Sequence, residues 1–343
     1  MTNEYNIIKE NRRKSRYDPN LADYLNKKVE EEKRRRELEK KLGRGIEEIK
    51  EKGEDNLEKK IEDMGKIIGL EEVGGEKHPN VVDGVSFSPD GRYIATGCFD
   101  RFLRVFEISK THNKLKLNQE PILEKHPHTV NRVSFSPDGK YIATGCEDKY
   151  LRIFEIINNR GKIELNPKPI LKKHPNTVDG VSFSPDGRYI ATGCHDRYLR
   201  IFEIINTPNK LELKLELILE NGLADVSFSP DGKYIATGCW NHYLRIFEIK
   251  NIPNEFELDL ILEKKYPTQV CGVSFSPDGK YIATGCWDHY LRIFEINTPK
   301  LELNCILEKK HPDIVDGVSF SPDGKYIATG CFDKYLRIFE IIR

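Results

Sequence analysis

The sequence predicts an all-β protein that consists of six copies of one small antiparallel sheet. A segment similar to Val181–Ile204 (VSFSPDGRYIATGCHDRYLRIFEI) occurs six times, and its Ser-Pro-Asp-Gly turn returns at a spacing of 45 to 48 residues. A near-constant period in this range is the signature of a repeat architecture. The turn prolines are Pro89, Pro137, Pro185, Pro230, Pro277 and Pro322. Function is therefore expected at the positions where the six copies differ.

Each copy is predicted to contain four strands. Val181–Phe183 alternates apolar and polar residues, as a half-buried strand does. Ser184–Gly187 has the proline and glycine positions of a type I turn. Arg188–Cys194 and Tyr198–Ile204 are predicted as the second and third strands, and Leu211–Leu219 as the fourth. One such sheet cannot bury both of its faces, whereas six arranged radially cover one another, so the sequence predicts a six-bladed β-propeller of four-stranded antiparallel blades.

The repeat resembles that of the WD-repeat β-propellers over residues 66–343. The resemblance is carried by the pattern VxxVxFSPDGxxIATGxxDxxLRxF and by the histidine that precedes it, as in HPNTVDGV. The Trp-Asp pair that gives the family its name is Phe-Glu in all six copies, for example Phe202-Glu203. The resemblance implies protein–protein recognition as the function, with the turn before the third strand on the top face of the propeller.

The resemblance also implies a hydrogen-bonded tetrad that stabilises each blade. In the third repeat its members would be His174, Thr192, Asp196 and Phe202. Phenylalanine has no N–H, so Phe202 is expected to keep the packing of the family's tryptophan and to lose a hydrogen-bond donor.

The two ends of the chain have different predicted roles. The chain ends on a third strand, so residues 66–77 are expected to supply the fourth strand of the last blade and to close the ring, which removes exposed sheet edges. Residues 1–65 are predicted to form a charged, partly disordered α-helical extension, because acidic residues precede basic ones by four positions. Self-association through a coiled coil is the alternative, although the apolar seam is broken between Val29 and Leu38.

Composition argues against several classes of protein. The chain has 55 basic and 55 acidic side chains, so it lacks the basic excess of a nucleic-acid binder. It has no apolar run of about 18 residues that could span a membrane, and its first residues do not resemble a secretory signal. Six of the eight cysteines occupy one equivalent position in successive repeats, too far apart to form disulfides. Reduced cysteines predict a cytoplasmic protein.

One position that differs between the copies lies immediately before the turn aspartate. Trp240, Trp287, Phe332 and Phe99 belong to four successive blades and are predicted to form an aromatic arc that binds a partner. In the alternative interpretation each ring packs on a neighbouring loop. The other two copies have Glu147 and His195 at this position. Arg101 and Lys334 follow the turn aspartate and are expected to pair with acidic residues of the partner.

A second such position lies at the start of the first strand, which the resemblance places at the mouth of the central channel. Its residues are Asp83, Asn131, Asp179, Cys271, Asp316 and, with a less certain alignment, Asp225. A ring of carboxylates there would attract a basic peptide or a cation. Equally, these carboxylates could accept hydrogen bonds from loop N–H groups.

The sequence therefore predicts a non-enzymatic scaffold that binds a protein or peptide partner on the top face, without a cofactor or metal. The predicted binding residues are Phe99, Trp240, Trp287, Phe332, His195, Glu147, Arg101, Lys334, Asp83, Asp179 and Asp316. The alternative is a metal-dependent hydrolase or lyase that uses His195, His242 and His289 with the aspartates of the channel mouth. No GxSxG, HExxH, P-loop or dinucleotide-binding motif supports an enzyme.

Overall fold

The computed structural model describes residues 67, 69–111, 114–118, 120–159, 162–207, 210–220, 222–252, 255–297 and 301–343. The helical extension and coiled coil predicted for residues 1–65 lie outside the described residues. Ile67–Arg343 forms one compact unit. Within it, no helix is long and apolar enough to cross a membrane.

The described strands form six antiparallel sheets, and the predicted all-β six-bladed propeller is confirmed. The first three blades follow one another in the sequence. Blade 1 contains β2 (Val82–Phe87), β3 (Tyr93–Cys98), β4 (Phe102–Thr111), β5 (Lys114–Leu117) and β6 (Ile122–Lys125). Blade 2 contains β7 (Val130–Phe135), β8 (Tyr141–Cys146), β9 (Tyr150–Asn159), β10 (Lys162–Leu165) and β11 (Ile170–Lys173). Blade 3 contains β12 (Val178–Phe183), β13 (Tyr189–Cys194), β14 (Tyr198–Thr207) and β15 (Lys210–Glu220).

The last three blades complete the ring. Blade 4 contains β16 (Leu223–Phe228), β17 (Tyr234–Cys239), β18 (Tyr243–Ile252) and β19 (Glu255–Lys265). Blade 5 contains β20 (Val270–Phe275), β21 (Tyr281–Cys286), β22 (Tyr290–Asn297) and β23 (Glu302–Lys310). Blade 6 contains β24 (Val315–Phe320), β25 (Tyr326–Cys331), β26 (Tyr335–Ile342) and β1 (Gly69–Lys77). The first strand of each blade contacts the first strands of both neighbours, so these six strands surround the central axis.

The outer strand is divided in blades 1 and 2 and continuous in blades 3 to 5. Pro121 and Pro169 stand directly before β6 and β11. Proline has no N–H to donate to the ladder, so each divided edge resumes only after it. The outer strands β15, β19 and β23 contain no proline and run on with a single bulge each.

The hydrophobic core is divided among the interfaces between neighbouring blades. Between blades 2 and 3, Leu151 and Ile153 pack with Val181, Phe183 and Phe202. Phe202 is almost completely buried. A phenylalanine buried to this degree contributes about 1.5–3 kcal/mol relative to an exposed one. Packing at this position is therefore retained although the family's tryptophan is absent.

The ring closes through a strand from the start of the described chain. β1 pairs antiparallel with β26, from Gly69 opposite Ile342 to Lys77 opposite Tyr335. Val73 of β1 is buried in the core between blades 6 and 1. The third strand of blade 6 is therefore covered by β1 and presents no free edge along these residues.

Removal of β1 is expected to open the ring. A variant that lacks residues 1–77 would expose the backbone groups of β26, which is a template for association with other chains. We expect this variant to aggregate, and a variant that lacks only residues 1–66 to remain monomeric. Size-exclusion chromatography with light scattering measures both. A soluble monomer without residues 1–77 that unfolds at the same temperature as the full chain would contradict the closure role of β1.

Candidate binding site at the mouth of the central channel

A tight turn joins the second and third strands of each blade, and an aspartate–arginine pair fixes five of the six turns. In blade 3, Asp196 accepts a hydrogen bond from the backbone N of Tyr198 at 3.2 Å, and Arg200 donates to both carboxylate oxygens at 3.0 and 2.5 Å. Burial raises the pKa of Asp196, but hydrogen bonds from Arg200, Cys194 and the backbone N of Tyr198, with the charge of Arg200, together outweigh it and hold the pKa below its usual value. The equivalent pairs are Asp100–Arg104, Asp148–Arg152, Asp288–Arg292 and Asp333–Arg337. The top face is defined here as the face that carries these turns.

The four residues expected to form one tetrad in blade 3 divide into two groups. His174 Nε2 and Thr192 Oγ1 are hydrogen-bonded at 2.9 Å, and the histidine ring contacts Phe202 edge-on at a centroid distance of 5.6 Å. Asp196 binds Arg200 rather than the histidine. The histidine therefore stabilises the blade interior, while the aspartate fixes the turn on the top face.

Backbone hydrogen bonds hold the residue before each turn aspartate against the loop that enters the same blade. Phe99 N donates to Val81 O at 3.0 Å, and Trp287 N donates to Gln269 O at 3.2 Å. Trp240 N donates to the carbonyl of the entry loop of blade 4 at 3.0 Å. The side chains at this position therefore project from a rigid platform.

The structure brings the aromatic arc (Phe99, Trp240, Trp287 and Phe332) together around one cavity at the channel mouth. Phe99 and Phe332 are in edge contact at a centroid distance of 5.8 Å, and Trp240 and Trp287 at 6.3 Å. The rings thus pack on one another, yet Phe99 and Trp287 keep 37% and 39% of their surface exposed. The cavity has a volume of about 370 Å³. It is also lined by His195 and Glu147, so all six residues at this position converge on it.

Not every predicted binding residue faces the cavity. Arg101 and Lys334 adopt φ angles of 76° and 74°, in the left-handed region, and their side chains are exposed. Neither residue belongs to the cavity lining.

A bulge in the first strand of each blade turns the second residue of that strand toward the channel. In blade 3 the register shifts between Val178 and Gly180, so Asp179 has no partner in the ladder. Bulges re-aim side chains in this way. The bulged residues are Asp83, Asn131, Asp179, Ala224, Cys271 and Asp316. Asp83, Asp179 and Asp316 line the cavity as the sequence predicted.

The alignment of Asp225 with these aspartates was wrong. Asp225 pairs with Gly238, as Gly180 pairs with Gly193 and Arg132 with Gly145, so it occupies the glycine position and Ala224 the aspartate position. The connection into blade 4 is shorter than the others, so the sequence alignment did not reveal that Asp225 is displaced by one residue. Its carboxylate nevertheless reaches the channel, and Val273 N donates to it at 3.0 Å.

Arg132, which the sequence interpretation missed, is the central residue of the site. Its guanidinium lies 2.5 Å from Asp83, 2.8 Å from Asp316 and 3.3 Å from Asp225. It also donates to the carbonyl of Cys271 at 2.7 Å, on the opposite side of the ring. The signal in the sequence was VNRV in place of VDGV. Arg132 and Asp225 replace the glycine of this position with opposite charges, and they form an ion pair with each other.

Glycine in the neighbouring blade makes room for Arg132. A Cβ on Gly84 would lie 2.7 Å from the Arg132 Cα, closer than carbon atoms approach. The inner strands of blades 1 and 2 can therefore come together only because this position of blade 1 has no side chain.

The carboxylates of the mouth differ in their ionisation. Burial and the nearby Asp316 carboxylate raise the pKa of Asp83 well above its usual value, against the opposing effect of Arg132. Burial likewise raises the pKa of Asp225 to about 6. Burial raises the pKa of Asp179, opposed by a hydrogen bond that His195 Nδ1 donates to it at 3.2 Å. That same hydrogen bond raises the pKa of His195.

The metal-site alternative finds no support in the geometry. Of the three histidines proposed for it, His195 lines the cavity, but His242 and His289 occupy the outer position of their turns. Among the described residues, no group of three or more His, Cys, Asp or Glu side chains is arranged to hold a metal ion.

Comparison with known families agrees with the fold. The sequence profile described as "WD domain, G-beta repeat" matches residues 74–107, 118–155, 165–203, 218–248, 262–295 and 303–340, more than half of the chain. The chain belongs to the WD-repeat family. The predicted membership is thus confirmed, and WD-repeat propellers generally act as protein–protein interaction scaffolds and are typically not enzymes. A comparison with curated proteins found no match.

Proposed function

We propose that this WD-repeat propeller binds a protein or peptide partner on its top face, over the cavity at the channel mouth. The observation that carries the proposal is the convergence of Phe99, Trp240, Trp287 and Phe332 on one cavity. The strand and turn segments shared by the six repeats are nearly identical, so this variable position gives the cavity a lining that those segments alone would not provide. The partner is a protein, and the site works without a cofactor.

The arc is suited to the anchor residues of an interface. Tryptophan and phenylalanine each bury about 150–250 Å² on association, and such residues dominate binding energies. The rigid turns beneath them reduce the entropy lost when a partner binds. The cavity also contains the carboxylates of Asp83, Asp179 and Asp316, which add directional polar contacts that an apolar patch alone lacks.

The proposal includes a cytoplasmic location. The eight cysteines are free thiols, and seven of them are buried. Thiols that stay unpaired suit a reducing compartment. Self-association through residues 1–65 stays a separate prediction, to be tested with a chain that begins at residue 66.

A pull-down with matched variants tests the proposed surface. Replacing both Trp240 and Trp287 with alanine is expected to abolish recovery of the partners that the native chain captures, since hot-spot truncations cost about 2 kcal/mol or more each. The control is Leu123→Ala with Leu171→Ala, which removes two exposed apolar side chains from the outer strands. The same partners recovered in equal amounts with the tryptophan variant would overturn the proposal, provided that both variants melt cooperatively.

A further inference from the structure

The inner wall of the cavity holds more carboxylates than its own cation can balance. Asp83, Asp225 and Asp316 all lie within 3.3 Å of the one guanidinium of Arg132. Among the described residues no guanidinium pairs with Asp179, whose side-chain contacts are Asn131 Nδ2 at 3.3 Å and His195 Nδ1 at 3.2 Å. The wall thus remains acidic on the side of Asp179.

Asp179 is a cavity-lining carboxylate that does not pair with Arg132, unlike Asp83 and Asp316. Its ion-pair partner among the described residues, His195, has a side chain that is 58% exposed. A histidine so exposed can turn aside at low cost. The ring of His195 also contacts Trp240 at a centroid distance of 5.9 Å. His195 therefore connects the carboxylate of Asp179 to the aromatic arc.

One hydrogen-bonding atom of the aromatic arc is also unpaired. Trp240 Nε1 is buried and, among the described residues, has no hydrogen-bond partner. A buried polar group without a partner costs about 1–3 kcal/mol, so such an atom in a folded protein calls for an explanation. Trp240 lines the cavity, and its Nε1 is a donor, which the carbonyl of a bound peptide complements.

We propose that the cavity binds an extended peptide segment of the partner through one basic side chain. The guanidinium or ammonium group pairs with Asp179 and lies against the indole of Trp240, while a backbone carbonyl of the peptide accepts a hydrogen bond from Trp240 Nε1. This deepens the proposed function and rests on it, because it names the chemical class of the partner at the same site. An acidic side chain is disfavoured here, since it would lie against the carboxylate of Asp179, which does not pair with Arg132.

The two tryptophans make the test direct. They are the only tryptophans of the chain, and both line the cavity, so intrinsic fluorescence reports on the site. The probes are the peptide acetyl-Gly-Ser-Ala-Arg-Ala-Ser-Gly-amide, its lysine counterpart, and the citrulline counterpart, which has the shape of arginine without its charge. Each peptide is titrated to ~10 mM, so that the weak binding expected when one side chain supplies most of the affinity is still detected.

The arginine or lysine peptide is expected to change the fluorescence saturably and to bind at least about tenfold more tightly than the citrulline peptide. Asp179→Asn is expected to remove this preference. Asp259→Asn is the control, because it makes the same change on an outer strand of blade 4. Equal binding of charged and neutral peptides, an unchanged preference in Asp179→Asn, or no saturable change with either basic peptide would each overturn the inference. The proposed function would still stand if the pull-down remained dependent on Trp240 and Trp287.

Discussion

Replacing Arg132 with glycine is expected to lower the free energy of unfolding by about 3–5 kcal/mol at neutral pH. The substitution leaves Asp83, Asp225 and Asp316 buried without the cation that lies within 3.3 Å of each. Buried carboxylates that lose their partner must either remain ionised at high cost or bind protons. Glycine is the appropriate replacement, because other blades, for example at Gly84 and Gly180, have glycine at this position.

Urea unfolding of three variants separates the charge effect from the loss of the side chain. Arg92→Gly, at an exposed ion pair with Glu107, is expected to cost less than about 1 kcal/mol. Arg132→Gly combined with Asp225→Gly removes one charge of each sign and is expected to be more stable than Arg132→Gly alone. If Arg132→Gly unfolds at the same urea concentration as Arg92→Gly, the Arg132 guanidinium does not stabilise the buried carboxylates of the channel.

Acidification from about pH 7 to pH 4 is expected to destabilise the propeller strongly through four buried histidines. Burial, together with the charge of a nearby arginine, lowers the pKa of each from 6.5 to about 4. In the unfolded chain these groups bind protons near pH 6.5, whereas in the folded chain they resist protonation down to about pH 4. Their stabilisation is therefore complete above pH 6.5 and is lost as the pH falls toward 4. The histidines are His78, His126, His174 and His311.

The size of the effect follows from the shifts. A difference of about 2.5 pH units corresponds to about 3 kcal/mol for one histidine, so four amount to on the order of 10 kcal/mol. The carboxylates of the channel mouth act in the opposite direction. The folded pKa values of Asp83, Asp179 and Asp225 are raised, so each of them contributes a gain in stability as the pH falls, and together they offset part of the loss from the histidines.

The residue at the histidine position of blade 5 suggests a variant that tests the contribution of the buried histidines. It has Tyr266 at the histidine position, and the Tyr266 hydroxyl lies 3.4 Å from Thr284 Oγ1, so it makes a similar contact without titrating in this range. His174→Tyr is expected to reduce the loss of stability between pH 6.5 and 4 by about 3 kcal/mol, measured by urea unfolding at a series of pH values. An identical pH dependence in the variant and the native chain would show that His174 is not the titrating group.

The repeat pattern determines most of what was predicted correctly. Strand alternation, the Pro-Asp-Gly turn and the period define six blades, since these signals are local to each copy. The resemblance to WD-repeat propellers, rather than the repeat pattern itself, suggested that the residues before the turn aspartates lie along one rim of the top face. The bulge that directs Asp83 and Asp179 into the channel leaves no mark in composition, but its position is equivalent in every copy.

The residues that were missed depend on contacts between distant parts of the chain. Arg132 meets Asp316 across 184 positions of sequence, and only the closed ring brings them together. A single repeat therefore gives no reason to pair them. The tetrad was divided because Arg200, four positions after Asp196, can reach the carboxylate that was assigned to His174. The case of Arg132 shows that a departure from the shared pattern carried information about the site.

The pairing of β1 with β26 also bears on the order in which the propeller forms during synthesis. Chains are made from the amino terminus, so β1 is complete before any of the strands β2 to β25 exists, and its partner is the last strand to be made. Blades 1 to 5 can assemble as an open row while β1 stays unpaired. Contacts between residues so distant in sequence form slowly, because the intervening chain must first be ordered. Of the described strands, the first to be made is thus the last to find its partner, and the nascent propeller exposes an unpaired edge until then.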